Sequence, residues 1–228
     1  MSEPNKRYRT MKGLWLQLDG PDGCGKDSQA ELLVEALRGA GHAVTRSREP
    51  GGCPMSERIR GLVVTGSPGD LSPMGELLLF AAARVEHIRQ TVRPALNRAE
   101  IVVTTRGVSS TVAYQGHAHG LSVDFIRDLH AMTTDGAYPD RMLLLDVPAE
   151  VGWRRARARL ALEDSGEDRF ERMGESLQRH VRTGFLSQAV GEDSWVVIDA
   201  DAAIGEVHNR VMAAVAPCVE AWLRGEPI

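Results

Sequence analysis

The sequence contains few cysteines and no long apolar run, and each absence excludes a class of protein. No stretch is long and apolar enough to span a bilayer, and the first residues contain no apolar core of a signal peptide, so we expect no membrane partner. Three cysteines occur, and they form neither a CxxC pair nor a zinc-binding spacing. An odd number of cysteines fits a reducing compartment, so we expect a cytoplasmic protein.

The chain also lacks an excess of basic charge. Its formal net charge is −4, which gives no electrostatic reason to expect a nucleic-acid or membrane partner. With 228 residues, 43% of them hydrophobic, it is long enough for one well-buried domain. Internal repeats, low-complexity tracts and linkers are absent from the sequence. We therefore expect a flexible tail over residues 1–13 and a single domain over residues 14–228.

Apolar runs alternate with segments of helical periodicity along the chain. Five short runs predict strands, and the order strand, glycine loop, helix, strand at the start is typical of a parallel sheet. A long helical stretch is expected to begin at a cap near Ser72 and to be kinked or interrupted at Pro94. The predicted strands are LWLQLDG, HAVTRSREPGG, EIVVTTRG, DRMLLLDVP and SWVVIDA.

The glycine loop GPDGCGKDSQ (20–29) is the strongest local motif, because it follows a predicted strand and precedes a predicted helix. Its glycines let backbone N–H groups surround phosphate oxygens, and Lys26 can bridge the outer phosphates. Asp22 is either a turn residue or a carboxylate near the transferred phosphoryl group. The predicted phosphate-binding residues are Gly20, Gly23, Cys24, Gly25, Lys26, Asp27 and Ser28.

Five further motifs follow the loop in order. They are REPGG (48–52), ELLLFAAAR (76–84), TTRGVSSTVAYQG (104–116), PDRMLLLDVPAE (139–150) and RRARARL (154–160). Together with the loop they resemble the bacterial thymidylate kinases, over nearly the whole chain from Leu14. The resemblance implies a P-loop NTPase fold with a five-stranded parallel sheet flanked by helices and a short arginine-rich lid. It also implies a homodimer that uses ATP and Mg²⁺ to phosphorylate dTMP.

The resemblance assigns an acceptor site to three of these motifs. Arg48 corresponds to a residue near the acceptor phosphate, and Glu49 shapes the turn that follows it. Phe80 corresponds to the aromatic ring that stacks on the base, although a phenylalanine in an apolar helix is more often a core residue. Arg84 corresponds to the arginine that reads the base edge, and it shares a helix face with Phe80. Arg106 corresponds to the arginine that holds the acceptor phosphate.

Two further segments complete the predicted site. Ser110, Thr111, Tyr114 and Gln115 correspond to the base pocket, or they form an ordinary helix start that Ser109 or Ser110 caps. Arg155, Arg157 and Arg159 fall in the predicted lid at about residues 154–170, where Arg155 is assigned to the ATP site and the other two to catalysis. Because they are spaced by two, they cannot share one helix face, so we expect only one or two to point at phosphates. The histidines His87, His117 and His119 are interpreted as packing or surface residues.

The sequence departs from the family pattern at three positions. Asp27 stands where Ser or Thr is usual, Thr105 replaces the acid of an Asp-Arg pair, and Ala83 replaces an acid before Arg84. The first two suggest an exchange in which Asp27 binds Mg²⁺ directly and Thr105 supports it, since Mg²⁺ prefers oxygen ligands. Two rival hypotheses are that Ser28 supplies the hydroxyl group or that the site is disabled.

The third departure concerns the acceptor. Without an acid at Ala83, Arg84 lacks one partner that would orient it, which leaves the choice of base open. The leading hypothesis is transfer of the γ-phosphoryl group of ATP to dTMP. The alternatives are a divergent kinase with a modified nucleotide or another phosphorylated acceptor, and a nucleotide-binding regulator without catalysis.

Overall fold

A computed structural model describes residues 12–65, 67–161, 169 and 174–228. Its centre is a five-stranded sheet with the order β2-β3-β1-β4-β5, and all four strand pairs are parallel. This confirms the predicted α/β class and strand count. The strands are β1 (Leu14–Asp19), β2 (Val44–Arg48), β3 (Ile101–Thr105), β4 (Arg141–Asp146) and β5 (Trp195–Asp199).

Helices cover both faces of this sheet. The central strands β1 and β3 are buried along their whole length, as continuous apolar runs require in a parallel sheet. The helices are α1 (Lys26–Gly39), α2 (Pro54–Val64), α3 (Pro73–His87), α4 (Arg93–Asn97), α5 (Val108–Thr111), α6 (Val123–Thr134), α7 (Ala149–Leu160), α8 (Glu175–Ala189) and α9 (Ile204–Arg224). None of the described helices is long and apolar enough to cross a bilayer.

The strand register brings the carboxyl ends of three strands together. Thr105, the last residue of β3, pairs with Leu18 of β1 on one side and with Arg48 of β2 on the other. Because the strands are parallel, the segments that follow them leave from the same edge of the sheet. The glycine loop after β1, the REPGG turn after β2 and Arg106 after β3 therefore meet at this edge.

The predicted long helix is interrupted as expected. The Ser72 hydroxyl accepts a hydrogen bond of 3.1 Å from the N–H group of Gly75, which is the cap that the sequence indicated. A π-helical turn (Ile88–Val92) follows α3, and α4 then begins with Pro94 at its second position. The turn fits the chemistry of proline, which has no N–H group to donate within a helix.

Residues 12 and 13, which the sequence assigned to a flexible tail, contact the domain. The Gly13 N–H group donates to the carbonyl oxygen of Leu96 at 2.9 Å, and the Trp222 indole donates to that of Lys12 at 2.7 Å. These contacts attach the last two residues of the tail to the domain. The prediction for residues 1–11 lies outside the described residues.

Candidate active site

The glycine loop joins β1 to α1 and has a backbone shape that a side chain would prevent. Gly23 has φ of +75°, and a Cβ atom there would lie 2.0 Å from the carbonyl oxygen of Gly152. Gly25, with φ of +88°, is the N-cap of α1. Cys24 is buried in the same loop, and burial raises the pKa of its thiol, as in a structural cysteine. The loop thus directs a helix N-terminus, which favours anions, at the sheet edge.

Asp22 is the centre of a buried network in this loop. Its Oδ1 atom contacts the guanidinium of Arg106 and lies 3.8 Å from the ammonium of Lys26. Its Oδ2 atom accepts hydrogen bonds from the hydroxyl of Tyr114 at 2.7 Å and from the amide of Gln178 at 2.9 Å. Burial alone raises the pKa of Asp22, but these two cations and two donors outweigh it and hold the pKa well below its usual range. An ionised carboxylate therefore holds Lys26 and Arg106 side by side.

Arg106 follows β3 in an unusual backbone conformation. Its φ is +63°, in the left-handed region that residues other than glycine rarely adopt. Its N–H group donates to the carbonyl oxygen of Leu18 at 3.0 Å, which extends the contact between β1 and β3. Its guanidinium lies 5.5 Å from the centre of the Tyr114 ring. A strained backbone conformation persists only where surrounding contacts maintain it, and such conformations are concentrated at functional sites.

Asp27 and Thr105 are in direct contact. The Thr105 hydroxyl donates to Oδ1 of Asp27 at 2.8 Å. Burial raises the pKa of Asp27, but Lys26, this hydrogen bond and nearby arginines outweigh it and lower the pKa. Asp27 and Thr105, the two residues that depart together from the family pattern, are thus hydrogen-bonded to each other beside the glycine loop.

A second buried network forms the opposite wall. The guanidinium of Arg84 donates from Nε to Glu49 at 2.7 Å and from Nη2 to the hydroxyl of Thr111 at 2.8 Å. His87, fully buried, lies with Nδ1 3.0 Å from the other oxygen of Glu49. Burial raises the pKa of Glu49, yet Arg84 and His87 outweigh this effect and lower it to about 2. Glu49 and Thr111 therefore orient Arg84 even though Ala83 is not an acid.

A cavity of about 520 Å³ connects the two networks. Residues of the glycine loop line it together with Phe80 and Arg84. Arg60 and Val64 of α2 also line it, although the sequence did not indicate them. The predicted site residues in the cavity wall are Asp22, Lys26, Asp27, Ser28, Arg48, Glu49, Phe80, Arg84, Thr105, Arg106, Thr111, Tyr114, Gln115 and Arg159.

The three predicted lid arginines diverge, as their spacing requires. Arg159, near the end of α7, lines the cavity. Arg155 instead donates to the carbonyl oxygen of Ala200 at 3.2 Å and pairs with Asp201 at 3.1 Å, after β5. The guanidinium of Arg157 lies 4.9 Å from the ring centre of Trp153, outside the described lining of the cavity. Residues 162–168 and 170 of the predicted lid lie outside the described part of the chain.

Asp19, at the end of β1, was not recognised in the sequence. Its carboxylate accepts hydrogen bonds from the hydroxyls of Ser109 at 2.6 Å and Ser110 at 2.8 Å. These serines therefore do not cap α5, whose N-cap is Gly107, and the capping alternative was wrong. Burial raises the pKa of Asp19. An acidic residue between an apolar strand and the glycine loop was the signal available in the sequence.

Glu76 and Arg169 form a second unexpected pair, which connects the cavity wall to the segment after α7. Glu76 is buried, contacts the guanidinium of Arg169 and accepts a hydrogen bond of 3.0 Å from the amide of Gln115. Arg169 also donates to the carbonyl oxygen of Val63 at 2.9 Å. No local pattern distinguishes Arg169 from the other charges around it in the sequence, so the pair was not predictable.

The parallel sheet, the glycine loop at a helix N-terminus and the cavity lined with arginines define a P-loop phosphotransferase. The family model described as Thymidylate kinase matches residues 18–211. A thymidylate kinase of Cereibacter sphaeroides is 43% identical over 207 residues, which cover 90% of this chain and 95% of the relative. One of Citrifermentans bemidjiense is 40% identical over 205 residues, 89% of this chain and 91% of the relative.

A solved structure agrees with these sequence matches. The crystal structure of thymidylate kinase from Ehrlichia chaffeensis has a TM-score of 0.69 and 28% identity, covering 89% of this chain and 98% of that chain. The chain belongs to the thymidylate kinase family, which confirms the resemblance inferred from its motifs. It is an ATP-dependent nucleoside monophosphate kinase.

Proposed function

We propose that the chain transfers the γ-phosphoryl group of ATP to dTMP, giving ADP and dTDP, in nucleotide biosynthesis. The observation that carries this proposal is one cavity whose wall contains both residues of the glycine loop and the pair Phe80 and Arg84. Its volume of about 520 Å³ can hold the reacting phosphates of two nucleotides. The matching relatives are themselves thymidylate kinases.

The phosphate end of the site works by positioning and charge. Lys26 and Arg106, held together by Asp22, are placed to neutralise the transferred group as charge develops on its oxygens. The acceptor phosphate is already an anion, so transfer requires no general base. Arg159 approaches the same space from α7 and is the lid arginine best placed to contact phosphates. Arg155 is bonded to the loop after β5, and its proposed role in binding ATP rests on its place in the predicted lid motif.

The acceptor end selects the nucleotide. Phe80 offers a ring for stacking, and Arg84 offers a guanidinium whose direction Glu49 and Thr111 determine. A base whose edge leaves this fixed guanidinium unpaired would lose affinity, because unpaired buried polar groups are costly. The remaining proposed acceptor contacts are Arg48, Tyr114 and Gln115.

Asp27 and Thr105 fit the requirements of Mg²⁺. They provide a carboxylate and a hydroxyl 2.8 Å apart beside Lys26, and Mg²⁺ is commonly held by one or two such oxygens together with nucleotide phosphates and water. When bound, Mg²⁺ would neutralise charge on the triphosphate. Among the described residues, no group of three or more histidine, cysteine, aspartate or glutamate side chains is arranged to hold a metal ion, as is usual where nucleotide phosphates and water supply most of the ligands of Mg²⁺. Ser28 lines the same cavity and is the rival ligand.

Variants of Asp27 distinguish these ligands. If Asp27 binds the metal, both Asp27→Ala and Asp27→Thr should strongly reduce turnover and raise the Mg²⁺ concentration needed for half-maximal rate. Ser28→Ala is the matched control and should change this concentration little. Near-normal turnover in both Asp27 variants, with a loss in Ser28→Ala, would refute the assignment.

The reaction is tested by measuring ADP release with ATP and Mg²⁺ against a panel of nucleoside monophosphates. The proposal predicts the highest kcat/KM with dTMP. A preference for a different acceptor would support the divergent kinase, and intact ATP binding without ADP release from any acceptor would support the regulator. Either result would overturn the assignment of dTMP.

We also propose a cytoplasmic homodimer without a nucleic-acid partner. The exposed side chains of Met74 and Leu78 on α3 support association between two copies, and the net charge of −4 argues against nucleic acid. Light scattering should give twice the chain mass, and Leu78→Glu should shift the protein toward monomer. A monomeric wild-type protein would refute the dimer.

A further inference from the structure

Arg46 lies on β2 and contacts Asp27, the proposed magnesium ligand. Its side chain is only 16% exposed, and it is absent from the described lining of the cavity. Its Nη2 atom is 3.3 Å from Oδ1 of Asp27 and 3.4 Å from the hydroxyl oxygen of Thr105. Its Nε atom is 3.2 Å from a carboxylate oxygen of Glu31 on α1. The guanidinium thus connects β2, β3 and α1 at the point where Asp27 emerges.

The contacts to Asp27 involve only one of its two oxygens. Both the Thr105 hydroxyl and the Arg46 guanidinium approach Oδ1. Within the described part of the chain, no hydrogen bond reaches Oδ2. The Asp27 side chain is 63% exposed and lines the cavity. One oxygen is therefore fixed against the sheet, while the other is available to a ligand.

Asp27 also has two competing cations close by. Lys26 and Arg106 both act electrostatically on its carboxylate, and both are proposed to bind phosphates. A carboxylate that turned toward them would neutralise the positive charge on which the triphosphate depends. Arg46 is the arginine that holds Asp27 by a hydrogen bond among the described residues, and it is not part of the described lining of the cavity.

We propose that Arg46 is a positioning residue that holds Oδ1 of Asp27 against β2 and β3, so that Oδ2 faces the bound divalent cation. This inference rests on the proposed role of Asp27 as a magnesium ligand. The division of labour resembles other metal sites, where a ligand is oriented by a hydrogen-bonding partner that does not touch the metal.

A positioning role and simple electrostatics predict opposite changes in metal affinity when Arg46 is replaced. Arg46 is a cation near a cation site, so removing its charge alone would tighten metal binding. Removing a positioning residue would weaken metal binding, because Asp27 would no longer present its second oxygen. The direction of the change therefore separates the two roles, and a purely structural role would change stability without changing metal affinity.

The experiment measures Mn²⁺ affinity by electron paramagnetic resonance, with the enzyme saturated by a non-hydrolysable ATP analogue. Arg46→Met should weaken Mn²⁺ binding roughly tenfold, the usual scale for loss of a partner that orients a ligand. Arg46→Lys keeps the charge but loses the planar fork, and should show a smaller loss of the same sign. The matched control is Arg38→Met, which removes an arginine bonded to the Val44 carbonyl oxygen on the same strand and should leave Mn²⁺ affinity unchanged.

A double variant links the effect to Asp27. In an Asp27→Asn background, Arg46→Met should cause no further loss, because the oriented carboxylate is already gone. Unchanged or tighter Mn²⁺ binding in Arg46→Met would overturn the proposal. If the melting temperature of Arg46→Met is much lower than that of wild type, the direction of the change in Mn²⁺ affinity in Arg46→Lys decides between the roles instead. If Asp27→Asn alone leaves Mn²⁺ affinity unchanged, the magnesium role of Asp27 fails first, and the positioning role fails with it.

Discussion

Glu49→Gln tests whether the buried network around Arg84 is held by charge. Glu49 is 5% exposed and pairs with Arg84, which is also 5% exposed, at 2.7 Å. The substitution keeps the shape of the side chain but removes the negative charge. Arg84 would then be a buried cation without its counterion, although Thr111 would still accept one of its hydrogen bonds.

The lowered pKa of Glu49 and the typical cost of breaking a buried ion pair indicate a similar loss of stability. The pKa of Glu49 falls from 4.5 to about 2 in the folded protein, which corresponds to about 3 kcal/mol of stability at neutral pH. Removing one member of a buried ion pair typically costs about 3–5 kcal/mol. Urea unfolding at pH 6 should therefore show a loss of about 3 kcal/mol in Glu49→Gln relative to wild type.

The same pKa shift determines how the difference varies with pH. The folded-state pKa of Glu49 is lower than its unfolded value, so its contribution is complete above pH 4.5 and is lost as the pH falls toward 2. Between pH 6 and pH 3 the difference between the two proteins should shrink by about 2 kcal/mol. Comparison with Glu49→Gln at each pH removes most of the contribution of the other carboxylates.

Glu86→Gln is the control, because it lies on the same helix as Arg84 and forms an exposed pair with Arg89. It should change stability little at either pH. A loss of less than about 1 kcal/mol in Glu49→Gln at pH 6, the scale of an ordinary surface pair, or a loss that does not depend on pH, would refute the argument. The KM for the acceptor should also rise, since Arg84 loses its main orienting contact.

Three further substitutions test the glycine loop and its supports. Gly23→Ala places a Cβ atom 2.0 Å from the carbonyl oxygen of Gly152, so calorimetry should show ATP affinity reduced at least about tenfold; wild-type affinity would contradict this. Tyr114→Phe removes a hydrogen bond of 2.7 Å to Asp22, and kcat/KM should fall about tenfold, because a hydrogen bond to a charged group contributes about 1.5–3 kcal/mol. An unchanged value would show that Oδ2 needs no hydroxyl donor. Gln178→Leu removes two hydrogen bonds to Asp22, of 2.9 and 3.2 Å, and urea unfolding should show a loss of about 2–3 kcal/mol. A stability equal to wild type would mean that water replaces the amide.

The sheet and the glycine loop were predictable because their signals are local. An apolar run such as β1 predicts a buried strand from its own residues, and the loop motif supplies its own turn residues. The exchange of Asp27 and Thr105 was also visible, because each stands in a recognisable motif. The structure adds that the two side chains are hydrogen-bonded at 2.8 Å.

The supporting contacts were not predictable, because they connect residues that are distant in the chain. Gln178 is hydrogen-bonded to Asp22 although the two residues are 156 positions apart. The sequence around Gln178 is a charged helical stretch, and nothing in it indicates this contact. The alternation of a strand indicates on which face Arg46 lies, but not which side chain of another element it meets. Such contacts depend on how helices pack on the sheet, and one sequence does not contain that geometry.

The shared oxygen of Asp22 has a consequence for how this site can change. Lys26 and Arg106 come from different motifs, yet both contact the same Oδ1 atom. A substitution of either cation alters the field and the position of the other, so the effects of single substitutions will not add up to that of the double variant. Which substitutions the site tolerates at one of these three positions therefore depends on the residues at the other two.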